Sequence, residues 1–179
     1  MDEATFWRIV EDAGAPDQCS PDEQCEAISE ALADLSREDL VAFENVRHQF
    51  VGRLYTWPML KACFIVLSYV SDDVFEDFRH WIILNGKERY LSALENPNNL
   101  VNFIKVDDPL EEITGESLMF VVENSWEGDI EEIEERVVIP KAPDIDDDWP
   151  PKSELRREFP ELFDNYWKEE AIRQIHRDA

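Results

Sequence analysis

Four ionisable residues fall on one side of a single helical segment. In Ser71-Asp-Asp-Val-Phe-Glu-Asp-Phe-Arg-His-Trp81, residues Asp73, Glu76, Asp77 and His80 stand at offsets of 3, 4 and 7, the spacing at which side chains share a helix face. Asp77 and His80 have the i, i+3 separation used by carboxylate-bridged metal sites. Such sites need a matching pair from a second helix. Neither His48, which follows Glu44 and Asn45, nor His176, which follows Ile172 and Arg173, supplies one. No metal is therefore expected. A second chemistry open to the same residues is proton transfer by a carboxylate–imidazole pair, with Asp72 and Arg79 as ligand contacts. The competing explanation is structural. Ser71 followed by Asp72 and Asp73 reads as an N-cap with acids at the positive helix end, worth about 0.3–2 kcal/mol per group. Arg79 reads as the i, i+3 partner of Glu76, and His80 flanks the Trp81 packing face. Trp57 and Trp126 lie near predicted segment ends, where rings either line a groove or cover a core.

Larger motifs are missing. No G-x-G-x-x-G, G-x-x-x-x-G-K-[ST], H-E-x-x-H or G-x-S-x-G pattern occurs, and 5 glycines leave little for phosphate-cradling loops. No cofactor is expected, and binding is favoured over catalysis. The 3 cysteines, Cys19, Cys25 and Cys63, are odd in number and form no C-x-x-C pair, which argues against a disulfide scaffold or a structural zinc. They read as buried or idle thiols.

The elements that must position these residues are helices. Apolar stripes at helical spacing predict helices over 2–13 and 21–34, and a third from the Ser36 cap to about 55. Pro21 and the acids after Ser20 mark a helix start; Trp57-Pro58 marks a break. Residues 58–70 read as a central buried helix, 72–84 as the clearest helix, stopped at Asn85-Gly86, and 87–94 as its successor. A short helix is expected over 98–106, one or two over 109–126 with Leu110, Ile113, Leu118, Val121, Val122 and Trp126 inward, and a short acidic helix or turn over 129–136. Residues 137–151 hold four prolines and three consecutive aspartates and read as an extended linker. A terminal helical stripe from Leu155 to Trp167, split by Pro160, is expected to dock on the main body. The fold class is thus mainly α: a compact multi-helix domain over 1–136, an irregular acidic, proline-rich segment over 137–151, and a C-terminal docking extension over 152–179.

Charge narrows the partners. The 179 residues carry a net charge of −25, held in two blocks: −11 over residues 1–46 and −14 over 106–150, flanking a central block of +1. Direct nucleic-acid binding needs a basic footprint and is not expected. An anionic membrane would repel such a chain, and no segment reaches the roughly 18 unbroken apolar residues of a span. The acidic start, Met1-Asp2-Glu3, is no secretory signal, so the expected address is cytoplasmic. The acidity either serves solubility or steers a basic protein partner.

Three stretches carry a resemblance: Asp2-Glu3-Ala4-Thr5-Phe6-Trp7, the block Tyr69 to Gly86, and Ala93-Leu-Glu-Asn-Pro97 completed by Asn98-Asn99-Leu100. Together they are similar to DUF4240, a bacterial domain family of unknown function, over about residues 1–127. The resemblance implies a compact helical domain and no established activity. Two functions follow as expectations. One is an acidic protein-interaction or regulatory module, such as an immunity-type inhibitor of a basic, nuclease-like partner. The alternative is a small-molecule-binding protein or enzyme using the Asp72–His80 helix.

Overall fold

A computed structural model describes residues 1–14, 18–105, 109, 113–143 and 149–168. Helices α1 (Glu3–Asp12), α2 (Pro21–Leu32), α3 (Arg37–Arg53), α4 (Trp57–Leu67), α5 (Asp72–Leu84) and α6 (Lys87–Glu95) lead into a 3-10 helix, Pro97–Asn102. A second 3-10 helix, Glu116–Met119, runs into α7 (Val121–Ser125), followed by α8 (Glu131–Glu134), α9 (Lys152–Glu158) and α10 (Pro160–Tyr166). Among the described residues there is no strand, so the mainly α class is as expected.

Local chemistry sets the starts of these helices. Asp2, Ser20, Ser36, Thr56 and Ser71 each accept a backbone N–H of the first turn of α1 to α5, satisfying donors the helix itself leaves open. Ser20 and Glu23 close a reciprocal capping box. The ends are set by tertiary fit. Helix α4 stops at Leu67, short of the expected residue 70, because Ser68 takes a left-handed conformation with φ 58°.

Helix α5 is the hub. It packs against α1, α2, α3, α4, α6 and the Glu116–Met119 turn, and from Phe78 to Leu84 every residue is buried. Beside it, Phe6, Trp7, Phe43, Phe50 and Tyr90 form a ring cluster with centroids 4.7–5.4 Å apart. Gln24, only 1% exposed, donates to the carbonyls of Val10, Gly14 and Leu84 at 2.8–3.1 Å. One amide thereby ties the C-terminal ends of α1 and α5.

Several segments differ from expectation. The helix over 98–106 is a 3-10 helix ending at Asn102. Over 109–126 the described part is the Glu116–Met119 turn and the single-turn α7, with Ile113, Leu118, Val121 and Val122 buried and Trp126 half-buried. Gly115 explains the irregularity: its chain lies so close to α5 that an added Cβ would stand 2.2 Å from the Trp81 nitrogen. The inward placement of Leu110 lies outside the described residues, as do the three aspartates at 146–148.

The described part of the C-terminal extension, residues 152–168, packs on the main body, with Pro160 starting α10. Both helices lie near α4 and the Pro97–Asn102 turn, α10 against them directly. Lys61, 7% exposed, forms an ion pair with Glu158, and Asn98 Nδ2 donates to the Glu158 carbonyl at 3.0 Å. Among the described residues no single helix is long and apolar enough to cross a membrane; α3 and α4 reach the length only together, bent by 83°.

The Gly115 contact is testable. Gly115→Ala is expected to cost about 1–3 kcal/mol in urea unfolding, because backbone must move. Gly128→Ala, whose added Cβ would have three side-chain atoms of the Trp126 ring as its nearest neighbours, should cost less; equal losses would refute the close-approach account.

Candidate functional site

Helices α3 and α5 carry the polar groups that face inward. On α3 the apolar stripe runs Leu40, Phe43, Phe50, Val51, Leu54, and the stripe positions between Phe43 and Phe50 hold Glu44 and Arg47. Both are buried, at 8% and 4% exposure. Arg47 Nε donates to Glu44 Oε1 at 3.0 Å, and Nη2 closes the ion pair on Glu44 Oε2. Its Nη1 donates to His80 Nε2 at 2.6 Å, and Nη2 also reaches His48 Nε2 at 3.2 Å.

This fixes the state of His80. Its Nδ1 lies 2.9 Å from the Glu76 carbonyl, which can only accept, so Nδ1 carries the proton and Nε2 is the acceptor for Arg47. Burial, reinforced by the Arg47 charge, holds its pKa well below the ordinary 6.5. His48 is shifted the same way, by burial first and Arg47 second. His80 is fully buried and has both ring nitrogens engaged. Buried with one nitrogen donating and the other accepting, it is held by the core in a way that favours a structural role over the acid–base role open to it in the sequence.

Arg79 corrects a second expectation. It forms no ion pair with Glu76. Its guanidinium is sandwiched by the rings of Tyr55 and Phe75, each 4.7 Å from the Arg79 Cζ. Nε donates to the Phe75 carbonyl and Nη1 to the Val51 carbonyl, both at 3.1 Å. The residue is 7% exposed. Burial lowers its pKa, and the nearby Glu76 charge opposes that shift. Among the described residues no carboxylate lies within ion-pair distance of it.

The wall of Arg79 opens on a cleft of about 510 Å³ between α3 and α5. His48, Arg53, Tyr55, Asp72 and Glu76 line it with Arg79, and the segment Ile139–Pro143 forms its outer wall. That segment is held by the Val138 N–H, which donates to Asn45 Oδ1 at 2.7 Å, and Pro140 lies against Gly52. A second cleft of about 410 Å³ shares His48 and Ile139 and includes Glu44 and Arg47.

The remaining expected residues scatter. Asp73, Glu76 and Asp77 share a third, smaller depression of about 280 Å³ with Glu116, apart from buried His80. Asp77 accepts the Gly115 N–H at 2.5 Å; burial raises its pKa, with that hydrogen bond opposing. Trp57 sits in a ring contact with Trp149 at 4.9 Å, and Trp126 donates to the Asp129 carbonyl at 3.2 Å. Neither lines any of these clefts. Among the described residues no group of three or more His, Cys, Asp or Glu is placed to hold a metal ion. Cys25 is buried and its pKa is pushed up to about 12 by burial; burial raises Cys63 too. Sequence reasoning missed Glu44 and Arg47, whose signal was a charged pair at core positions of an apolar stripe.

The family model described as a protein of unknown function (DUF4240) matches residues 1–128. The chain belongs to this family. The match takes in α1 to α7, including the whole α3–α5 floor of the large cleft, and ends before the Ile139–Pro143 wall. No curated protein and no solved structure matches the chain.

Two outcomes follow from the buried network. Glu44→Gln leaves the Arg47 charge under-compensated and is expected to destabilise by about 3–5 kcal/mol; His80→Leu, which removes an uncharged donor and acceptor and leaves the Glu44–Arg47 pair in place, by about 1–3 kcal/mol. Denaturant melts that rank them in the opposite order would contradict this assignment. The second concerns pH. Burial and the Arg47 charge lower the pKa of both histidines in the fold, so near and below the ordinary 6.5 the unfolded chain binds protons more readily than the folded one. Stability is therefore full above about pH 6.5 and declines below it, by up to about 1.4 kcal/mol per pH unit for each histidine. His48→Gln should make that decline shallower in urea titrations across the range.

Proposed function

We propose that the protein is a small-ligand-binding protein whose site is the α3–α5 cleft. The observation that carries the reading is Arg79. A buried cation without a carboxylate partner is costly; two carbonyls and two aromatic faces offset that cost. Its place at the wall of an open cleft then provides a desolvated, orientated donor for an anionic group. The cleft volume of about 510 Å³ falls within the range of small-molecule sites. Binding is favoured over catalysis because the one imidazole in the Asp72–His80 helix is already committed on both nitrogens. The buried thiols of Cys25 and Cys63, which form no disulfide, agree with a cytoplasmic setting.

A second reading, docking of a basic protein, is favoured by a different surface. Glu123, Glu127, Asp129, Glu131, Glu132, Glu134 and Glu135 are all exposed around α8, and the bases close to this surface, Arg37 and Arg136, pair with Glu132 and Glu38. Such a surface would steer a basic partner in a salt-dependent way.

Amide chemical-shift mapping with a mixture of small soluble carboxylates, amines and zwitterions tests the first reading. Shifts are expected at residues 48–55, 72–79 and 139–143. No shifts there, with a basic partner instead perturbing 123–135, would replace it with the second.

A further inference from the structure

We infer that the α3–α5 cleft takes an ammonium–carboxylate zwitterion with an apolar side chain, of the size of an amino acid or dipeptide. This deepens the cleft reading above and rests on it.

Three sets of groups lie around the one cavity. The first is the Arg79 guanidinium, whose Nε and Nη1 are used on backbone carbonyls while its remaining Nη2 faces no acceptor among the described residues. A planar guanidinium with a spare nitrogen, held rigid by two rings, suits a carboxylate. The second is the pair Asp72 and Glu76, one turn apart on the same helix and three to seven residues before Arg79. Helical spacing puts all three on adjoining positions of one face. Among the described residues neither carboxylate accepts a hydrogen bond, so both remain acceptors for an ammonium group. The third is the apolar lining, Val51, Tyr55, Ile139 and Pro140, which suits a hydrocarbon side chain.

Charge separates a zwitterion from a simple anion. The protein carries −25 overall, and its field opposes the approach of a bare anion. Within the cleft, Asp72 and Glu76 would face that anion too, although Arg53, paired with Glu3, and Lys141 also stand on the lining. A ligand that brings its own cation is net neutral, which removes the long-range repulsion, and its ammonium group can face Asp72 and Glu76 inside the cleft. A simple amine, conversely, would leave Arg79 without a partner and set a second cation beside it.

The test uses the full chain and thermal melts. Probes are leucine, isoleucine, methionine and phenylalanine with their homodipeptides, each at about 10 mM, where saturation raises Tm by several degrees for a chain of this size. The half-ligands are 4-methylpentanoate, which lacks the amine of leucine, and 3-methylbutylamine, which lacks its carboxylate. At least one zwitterion is expected to raise Tm by several degrees, with each half-ligand giving under a third of that rise. The exposed or half-exposed Asp72→Asn and Glu76→Gln variants should fold, weaken the zwitterion at least tenfold, and bind 4-methylpentanoate as well as or better than the parent, because a carboxylate that faced the anion is gone. Half-ligands that match the zwitterion, or variants that weaken both ligands equally, would overturn the inference. If no zwitterion acts while the small-molecule mixture still shifts residues 48–55 and 72–79, the ligand class is wrong and the cleft stands. If neither occurs, both fall.

Discussion

Helix α5 can lie at the centre of this protein only because each polar side chain it carries inward meets a partner. His80 accepts from Arg47 and donates to the Glu76 carbonyl. Arg79 is held by two carbonyls and two rings. Asn85 donates to the Trp81 carbonyl, and Asp77 receives the Gly115 N–H. A buried polar group left without a partner costs more than a satisfied one contributes, so these contacts act as conditions on the packing. They fix how α3 must face α5 and how closely the Gly115 segment must approach. Together they favour the observed setting of α5 over rotations that would leave these groups without partners.

That setting also creates the cleft. The Tyr55 and Phe75 rings that shield the Arg79 charge lie at the α3 end and on α5, and the carbonyl that receives Nη1 belongs to Val51 on α3. The interaction joining the two helices is thus the one that leaves a guanidinium edge at the cavity wall. Stability and recognition share the same residue. The outer wall has another origin. Ile139–Pro143 is irregular chain beyond the family match, with Val138 and Ile139 highly exposed. The floor belongs to the family domain and the wall to the chain that follows it.

Much of the fold was legible in the sequence because its signals are local. The Ser20–Glu23 box, the Ser36 and Ser71 caps and the Asn85-Gly86 stop each depend on residues within one turn, and each bounds a helix where expected. The apolar stripe of α5 gave its buried face for the same reason. Less legible were the short segments from Pro97 to Ser125. There the chain follows the surface of α5, and Gly115 is chosen by a neighbour more than 30 positions away in sequence. No periodicity encodes such a contact.

The candidate site divides along the same line. The sequence by itself determined a helical, acidic protein whose Asp72–His80 segment carries carboxylates, an arginine and a histidine at helical spacing. Helical periodicity is a property of consecutive residues, so Asp72, Glu76 and Arg79 could be recognised as neighbours. Only the tertiary structure decided what each of them does. It buried His80 against Arg47, turned Arg79 away from Glu76 into an aromatic sandwich, and separated Trp57 and Trp126 from the cleft. The physical reason is that ionisation and hydrogen bonding respond to solvent exclusion and to groups on other helices. Those are fixed by packing between α3 and α5, and the α3 residues concerned, Glu44, Arg47 and His48, lie about 30 positions from the motif they control.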